Sequence, residues 1–167
     1  MSYEEIAARA AAGSKEAFSE LCGGVCKQLY YIAYLTLKNS ADAEKTVSAV
    51  LAEAFGKYDK PRKETVFNAA MVKMLAGRLI TRLKEYKVKG ITVSYDPYGM
   101  RPDEKGIDIK QEFNRLTDLE RLCMAIYAVT PFSAREISVF TGVKEDIVEQ
   151  KISSAEKKLS ARINKKI

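Results

Sequence analysis

The chain has 167 residues, 47% of them hydrophobic, with 28 basic against 22 acidic side chains, three cysteines, four prolines, no histidine and no tryptophan. This composition excludes a disordered chain and a disulfide framework, and it removes every chemistry that relies on imidazole as a metal ligand or proton carrier. The net charge of +6 is compatible with a polyanionic partner, but many proteins without such a partner carry as much, so the distribution of charge says more than its total.

Ser2-Tyr3-Glu4-Glu5 has the form of a capping box and opens a first short helix, which Gly13-Ser14 closes while capping the next. A long second helix is expected to bury Phe18, Leu21, Cys22, Val25, Leu29, Ile32 and Ala33. Gly23-Gly24 weakens it by about 1 kcal/mol per glycine relative to alanine and suits a close helix crossing. Asn39-Ser40 ends that helix and caps a third, from Ala41 to about Tyr58, with Val47, Val50, Leu51, Ala54, Phe55 and Tyr58 inward. After a turn at residues 59–63, a fourth helix runs from Glu64 to about Tyr86 with Phe67, Ala70, Met71, Met74, Leu75, Leu79 and Leu83 inward. Cys22 and Cys26 lack the partners and spacing of a metal site and read as core thiols; Tyr30, Tyr31 and Tyr34 read as core and rim.

Beyond Lys87 the period breaks at Gly90, Asp96-Pro97, Gly99, Arg101-Pro102-Asp103 and Gly106, and only Ile91 to Tyr95 alternates enough to be extended. Residues 89–112 are therefore expected to be a flexible linker. It joins two small all-helical domains with independent cores, residues 1–88 and 113–167. In the second, Thr117-Asp118-Leu119-Glu120 and Ser133-Ala134-Arg135-Glu136 are capping boxes, and Gly142 supplies a positive-φ stop about two turns after the second box. A last helix starts near Lys144 or Glu145, with Ile147, Val148, Ile152, Ala155, Leu159 and Ile163 on one face. This is the spacing of a helix-turn-helix, whose second helix enters a major groove.

The segment from Ser133 to Val148 resembles, without a gap, the C-terminal promoter-binding domain of extracytoplasmic-function sigma factors, with matches at Ser133, Glu136, Ile137, Gly142, Val148, Ala155 and Leu159. The resemblance extends to the N-terminal half. Ala11 to Leu21 looks like the family's entry into its polymerase-binding domain, and Asn39 to Phe55 is similar to the helix that docks on the polymerase clamp. It covers nearly the whole chain in the family's order, with a linker in the family's place. Where the family usually carries Lys, Arg, Arg and Arg on the last helix, this chain has Glu149, Lys151, Ser154 and Glu156. The tryptophan, asparagine and aspartate of the family's promoter-opening helix fall near Met71, Arg78 and Arg82.

Two functions follow as expectations. The first is a sigma-factor-like initiation protein that binds core RNA polymerase and promoter DNA, with an inhibitory regulator protein as a further partner. Polymerase contact is assigned to the exposed face of the third helix, Asp42, Glu44, Lys45, Ser48 and Glu53. DNA contact is assigned to the basic stripe Lys73, Arg78, Arg82, Lys84, Lys87 and Lys89 and, on the last helix, to Lys144, Glu149, Lys151 and Lys157. The second is a degenerate sigma-like adaptor that binds protein alone, which the mixed charge of the last helix favours; whole-chain motif order favours the first. Without histidine, a phosphate-cradling glycine loop or a nucleophile motif, catalysis is the class the residues support least, and no cofactor or metal is expected. No apolar run approaches the roughly 20 residues that span a bilayer, and nothing near the N-terminus reads as a signal peptide, so a cytoplasmic protein without membrane insertion is expected.

Overall fold

A computed structural model of the chain describes residues 1–96 and 109–165, and among the described residues it is helical with no strand. The elements in order are α1 (Tyr3–Ala11), α2 (Lys15–Gly23), α3 (Cys26–Leu37), α4 (Ser40–Lys57), α5 (Glu64–Val88), α6 (Ile109–Phe113), α7 (Asp118–Val129), α8 (Ala134–Thr141) and α9 (Glu145–Lys165). None of them is long and apolar enough to cross a membrane. The expected N-caps form, with Ser2 accepting from the Glu5 amide, Ser14 from Ala17 and Asn39 from Asp42, although at Ser2 only this half of the expected capping box is made.

The long second helix is instead two, because Gly23 and Gly24 end α2 and Val25 starts α3. A Cβ at Gly23 would meet nothing within 4 Å and one at Gly24 would meet only ordinary contacts, so no close crossing requires the pair. The break is local, since two successive glycines remove helix propensity where no packing restores it. Cys22 and Cys123 are buried, and desolvation pushes both thiols up to about 11.

α3 is the centre of the molecule. It packs against α4 and α5 on one side and α7 on the other, which is why Leu29, Ile32, Ala33, Tyr34, Leu35 and Leu37 are all buried. Phe18 anchors the N-terminal core edge-on to Phe55 and Phe67, with ring centroids 5.2 and 6.0 Å away. α5 buries Phe67, Met71, Leu75 and Leu79 of its expected face and also Val72 and Ala76, because α8 packs along it, whereas Ala70, Met74 and Leu83, expected inward, are only partly buried. The buried apolar residues thus form one cluster running through both halves, where two independent cores were expected. Helices with apolar residues on two faces bury both, and here the second faces of α3 and α5 are covered by α7 and α8.

The first part of the expected linker is pinned to α3. The hydroxyls of Tyr34 and Tyr95 donate to the carbonyls of Asp96 and Leu35, and the Ser40 amide donates to Asp96 Oδ2 at 2.6 Å. The last part forms α6, whose Phe113 is buried. Residues 97–108 of the linker, and the side chain expected inward at Ile163, lie outside the described residues.

Candidate polymerase and nucleic-acid interface

α4 is amphipathic: Ala43, Thr46, Val47, Val50 and Ala54 are buried, and the opposite side leaves Glu44, Lys45 and Ser48 exposed. Asp42 and Glu53, assigned to the same face, sit instead at its margin toward α5. Glu53 accepts from Arg78 at 3.3 Å and from Lys57 at 3.0 Å, and Asp42 accepts from Arg82 at 3.1 Å and from the Tyr86 hydroxyl. Burial opposes the charge on Asp42, but the bonds from Tyr86 and Arg82 outweigh it and hold the carboxyl below its ordinary range. The same burial, with Asp42 beside it, pushes the Tyr86 hydroxyl up to about 12. Arg82 also reaches Glu85 at 3.1 Å.

Between α4 and α5 lies an open groove of about 810 Å³. Its floor is made of small or flexible residues, Ala49, Ala70, Met74 and Gly77, and its rim carries Lys45, Lys73, Arg78 and Arg82 with Glu53 and Glu85. Lys45 and Glu53, assigned to polymerase, and Lys73, Arg78 and Arg82, assigned to DNA, therefore line one groove, and the pairs Arg78–Glu53 and Arg82–Asp42 already join the two sets between α4 and α5. Lys73, Lys84, Lys87 and Lys89 are exposed along α5 and past its end. The basic stripe is thus continuous in sequence but uneven in availability: the lysines are free to meet phosphate and the arginines must first leave a carboxylate.

The helix-turn-helix forms as expected. Both capping boxes are complete, at Thr117 with Glu120 and at Ser133 with Glu136, and Gly142 ends α8 at φ 75°. Residues 142–144 are the turn, and Ser138 Oγ donates to the Val143 carbonyl to hold it. α9 buries Val148, Ile152 and Ala155, chiefly against α7. Lys144, Glu149 and Lys157 are exposed, whereas Lys151 is half-buried. Lys158 is taken by Glu120 at 2.6 Å. Basic and acidic groups therefore alternate on the outer face, and the pairing of Lys158 with Glu120 leaves α9 less positive than the sequence alone implies.

Sequence reasoning missed Arg121 and the second role of Glu120. Arg121 is 6% exposed and spans the seam between the halves, donating from Nε to the Thr36 carbonyl at 3.2 Å, from Nη1 to the Leu116 carbonyl at 2.8 Å, and to Asp118. Thr36 is in the last turn of α3, where unsatisfied carbonyls and the helix dipole favour a cation. The only signal in the sequence was one arginine among the apolar residues of an otherwise buried helix.

No family model and no curated protein matches this sequence. Among solved structures, the chain is similar to the sigma factor RpoE of Bartonella quintana, determined in complex with the anti-sigma factor NepR. The two are 17% identical, with a TM-score of 0.65 over 88% of this chain and 96% of that one. The chain has a sigma-factor-like, all-helical fold.

Proposed function

We propose that the protein is a sigma-factor-like transcription initiation factor that binds core RNA polymerase through the exposed face of α4 and promoter DNA through α5 and the helix-turn-helix. The observation that carries this reading is the overlay on a sigma factor across 88% of the chain, which spans both halves. That neighbour was determined with an anti-sigma factor, which supports an inhibitory regulator protein as a further partner. The reading assigns no catalytic step and a cytoplasmic setting. Reversing Glu44 and Glu53 to lysine is expected to abolish co-purification with core polymerase while circular dichroism stays unchanged; undiminished capture would move the contact off α4.

The pairs across the groove add a condition. Solvent-screened ion pairs contribute little, so Arg78 exchanges Glu53 for phosphate at small cost once a partner engages that acid, while Arg82 leaves the half-buried Asp42, which keeps its bond from Tyr86. With core polymerase present, alanine at both arginines is expected to flatten the slope of log DNA affinity against log salt by on the order of 1.5, from about 0.7 to 0.9 per contact. A salt titration on promoter-like DNA checks this. Matching changes at Lys151 and Lys157 should do less, because Lys151 is half-buried and Glu149 and Glu156 offset the charge of both.

The adaptor reading, in which the chain binds protein alone, is favoured by a specific observation: the two arginines of α5 are neutralised and the outer face of α9 alternates in sign. Absence of DNA affinity with or without polymerase would select it.

A further inference from the structure

Where the two halves meet, the end of α3, the end of α5, residues 91–93 and the start of α7 line a half-open cavity of about 350 Å³, at the lower end of the range for small-ligand sites. Its wall carries three cations, Lys38, Lys87 and Arg121, against one carboxylate, Asp118. Arg121 engages that carboxylate, so Lys38 and Lys87 have no acid of their own in this wall, whereas in the groove between α4 and α5 each arginine has a separate acid.

The donors in this wall are not exhausted. A guanidinium has five N–H groups, and the three Arg121 bonds leave one on each terminal nitrogen. Lys38 ends α3 in the left-handed conformation, φ 68°, and its ammonium donates to Asn114 Oδ1 at 2.9 Å, leaving two N–H groups. Burial, and next the Arg121 guanidinium, press the Lys38 ammonium below its ordinary value, with Asp118 acting the other way. Lys38 and Arg121 thus share one wall with a single carboxylate, Asp118, which Arg121 already engages. Thr36, in the same wall, has a buried hydroxyl with no hydrogen-bond partner among the described residues.

We propose that this seam cavity binds a small, multiply charged oxyanion of the phosphate class, held by Lys38, Lys87 and Arg121. Tetrahedral oxyanions accept from a guanidinium fork and from ammonium groups at once, and such charge-assisted bonds are the strong ones. The ligand would touch α3, α5 and α7 together, so its binding free energy adds to the closed packing of the halves.

The test is calorimetric titration and thermal unfolding of the full chain with inorganic pyrophosphate and inorganic phosphate, against sodium chloride at matched ionic strength. Saturable one-to-one binding is expected, tighter for pyrophosphate, with the folding equilibrium constant raised about a hundredfold at a hundred times Kd. Lys87→Gln and Lys38→Gln should each weaken pyrophosphate about tenfold, and Lys87→Gln, at an exposed position, should leave the unliganded Tm in place. A response that sodium chloride reproduces, or affinity unchanged in both variants, overturns the site.

Discussion

Replacing Arg121 with leucine should lower the stability of the whole chain by about 3 kcal/mol, the order expected when a buried charged donor is removed from its acceptors. The side chain is 6% exposed and ties α7 to the last turn of α3. Leucine fills part of the space but leaves the carbonyls of Thr36 and Leu116 without that donor. Asp118 adds little to the loss, because its side chain is 57% exposed and water replaces the arginine there. Calorimetry should show Tm lower by about 6 to 12 °C for a chain of this length. A shift below about 2 °C would mean that the seam does not depend on this bond. One transition in the wild type, shared by probes in both halves, follows from the continuous core.

Glu120 is expected to be almost as sensitive, and its effect depends on pH. Its carboxylate, 4% exposed, accepts from the Thr117 amide at 2.8 Å, from Lys158 at 2.6 Å and from the Ser154 hydroxyl. Burial works against the charged form, but the bonds from Lys158, Ser154 and Thr117 outweigh it and hold the group at about 2, against an ordinary value of 4.5. A group depressed in the folded state contributes stability that is complete above its unfolded value and is lost as pH falls toward its folded one. The wild type should therefore lose ~3 kcal/mol from this group between about pH 5 and pH 2. Glu120→Gln should lower stability at pH 7 and show a flatter profile across that window. Urea unfolding at a series of pH values measures both, and parallel profiles would remove Glu120 as their cause.

The parts of the fold that were legible in the sequence are those whose physics is local. The capping boxes at Thr117 and Ser133 and the left-handed stop at Gly142 are satisfied within a few residues of themselves, so their residue types announce them. The break at Gly23-Gly24 was visible as a weakness, and its outcome depended on whether packing would restore the helix. The shared core was partly visible: Leu35 and Leu37 extend the apolar surface of α3 beyond one stripe, and Val72 and Ala76 do the same for α5. Periodicity alone does not say which element covers a second face.

The candidate site was legible as a set of residues and illegible as a set of pairs. Asp42 and Arg82 are 40 residues apart, and Glu53 and Arg78 are 25 apart. Each was assigned to a different partner because nothing in a linear pattern places α4 and α5 side by side with those groups in register. Lys38 and Arg121 drew no assignment for the same reason, as their roles exist only where the ends of α3 and α7 meet.

The central claim is that this chain directs transcription, and run-off transcription with purified chain and core polymerase on genomic fragments tests it most directly. The account predicts discrete transcripts that require the chain and are lost on the Arg78→Ala, Arg82→Ala double change. Polymerase captured by the chain with no transcript from any fragment would contradict it and leave the protein-only adaptor.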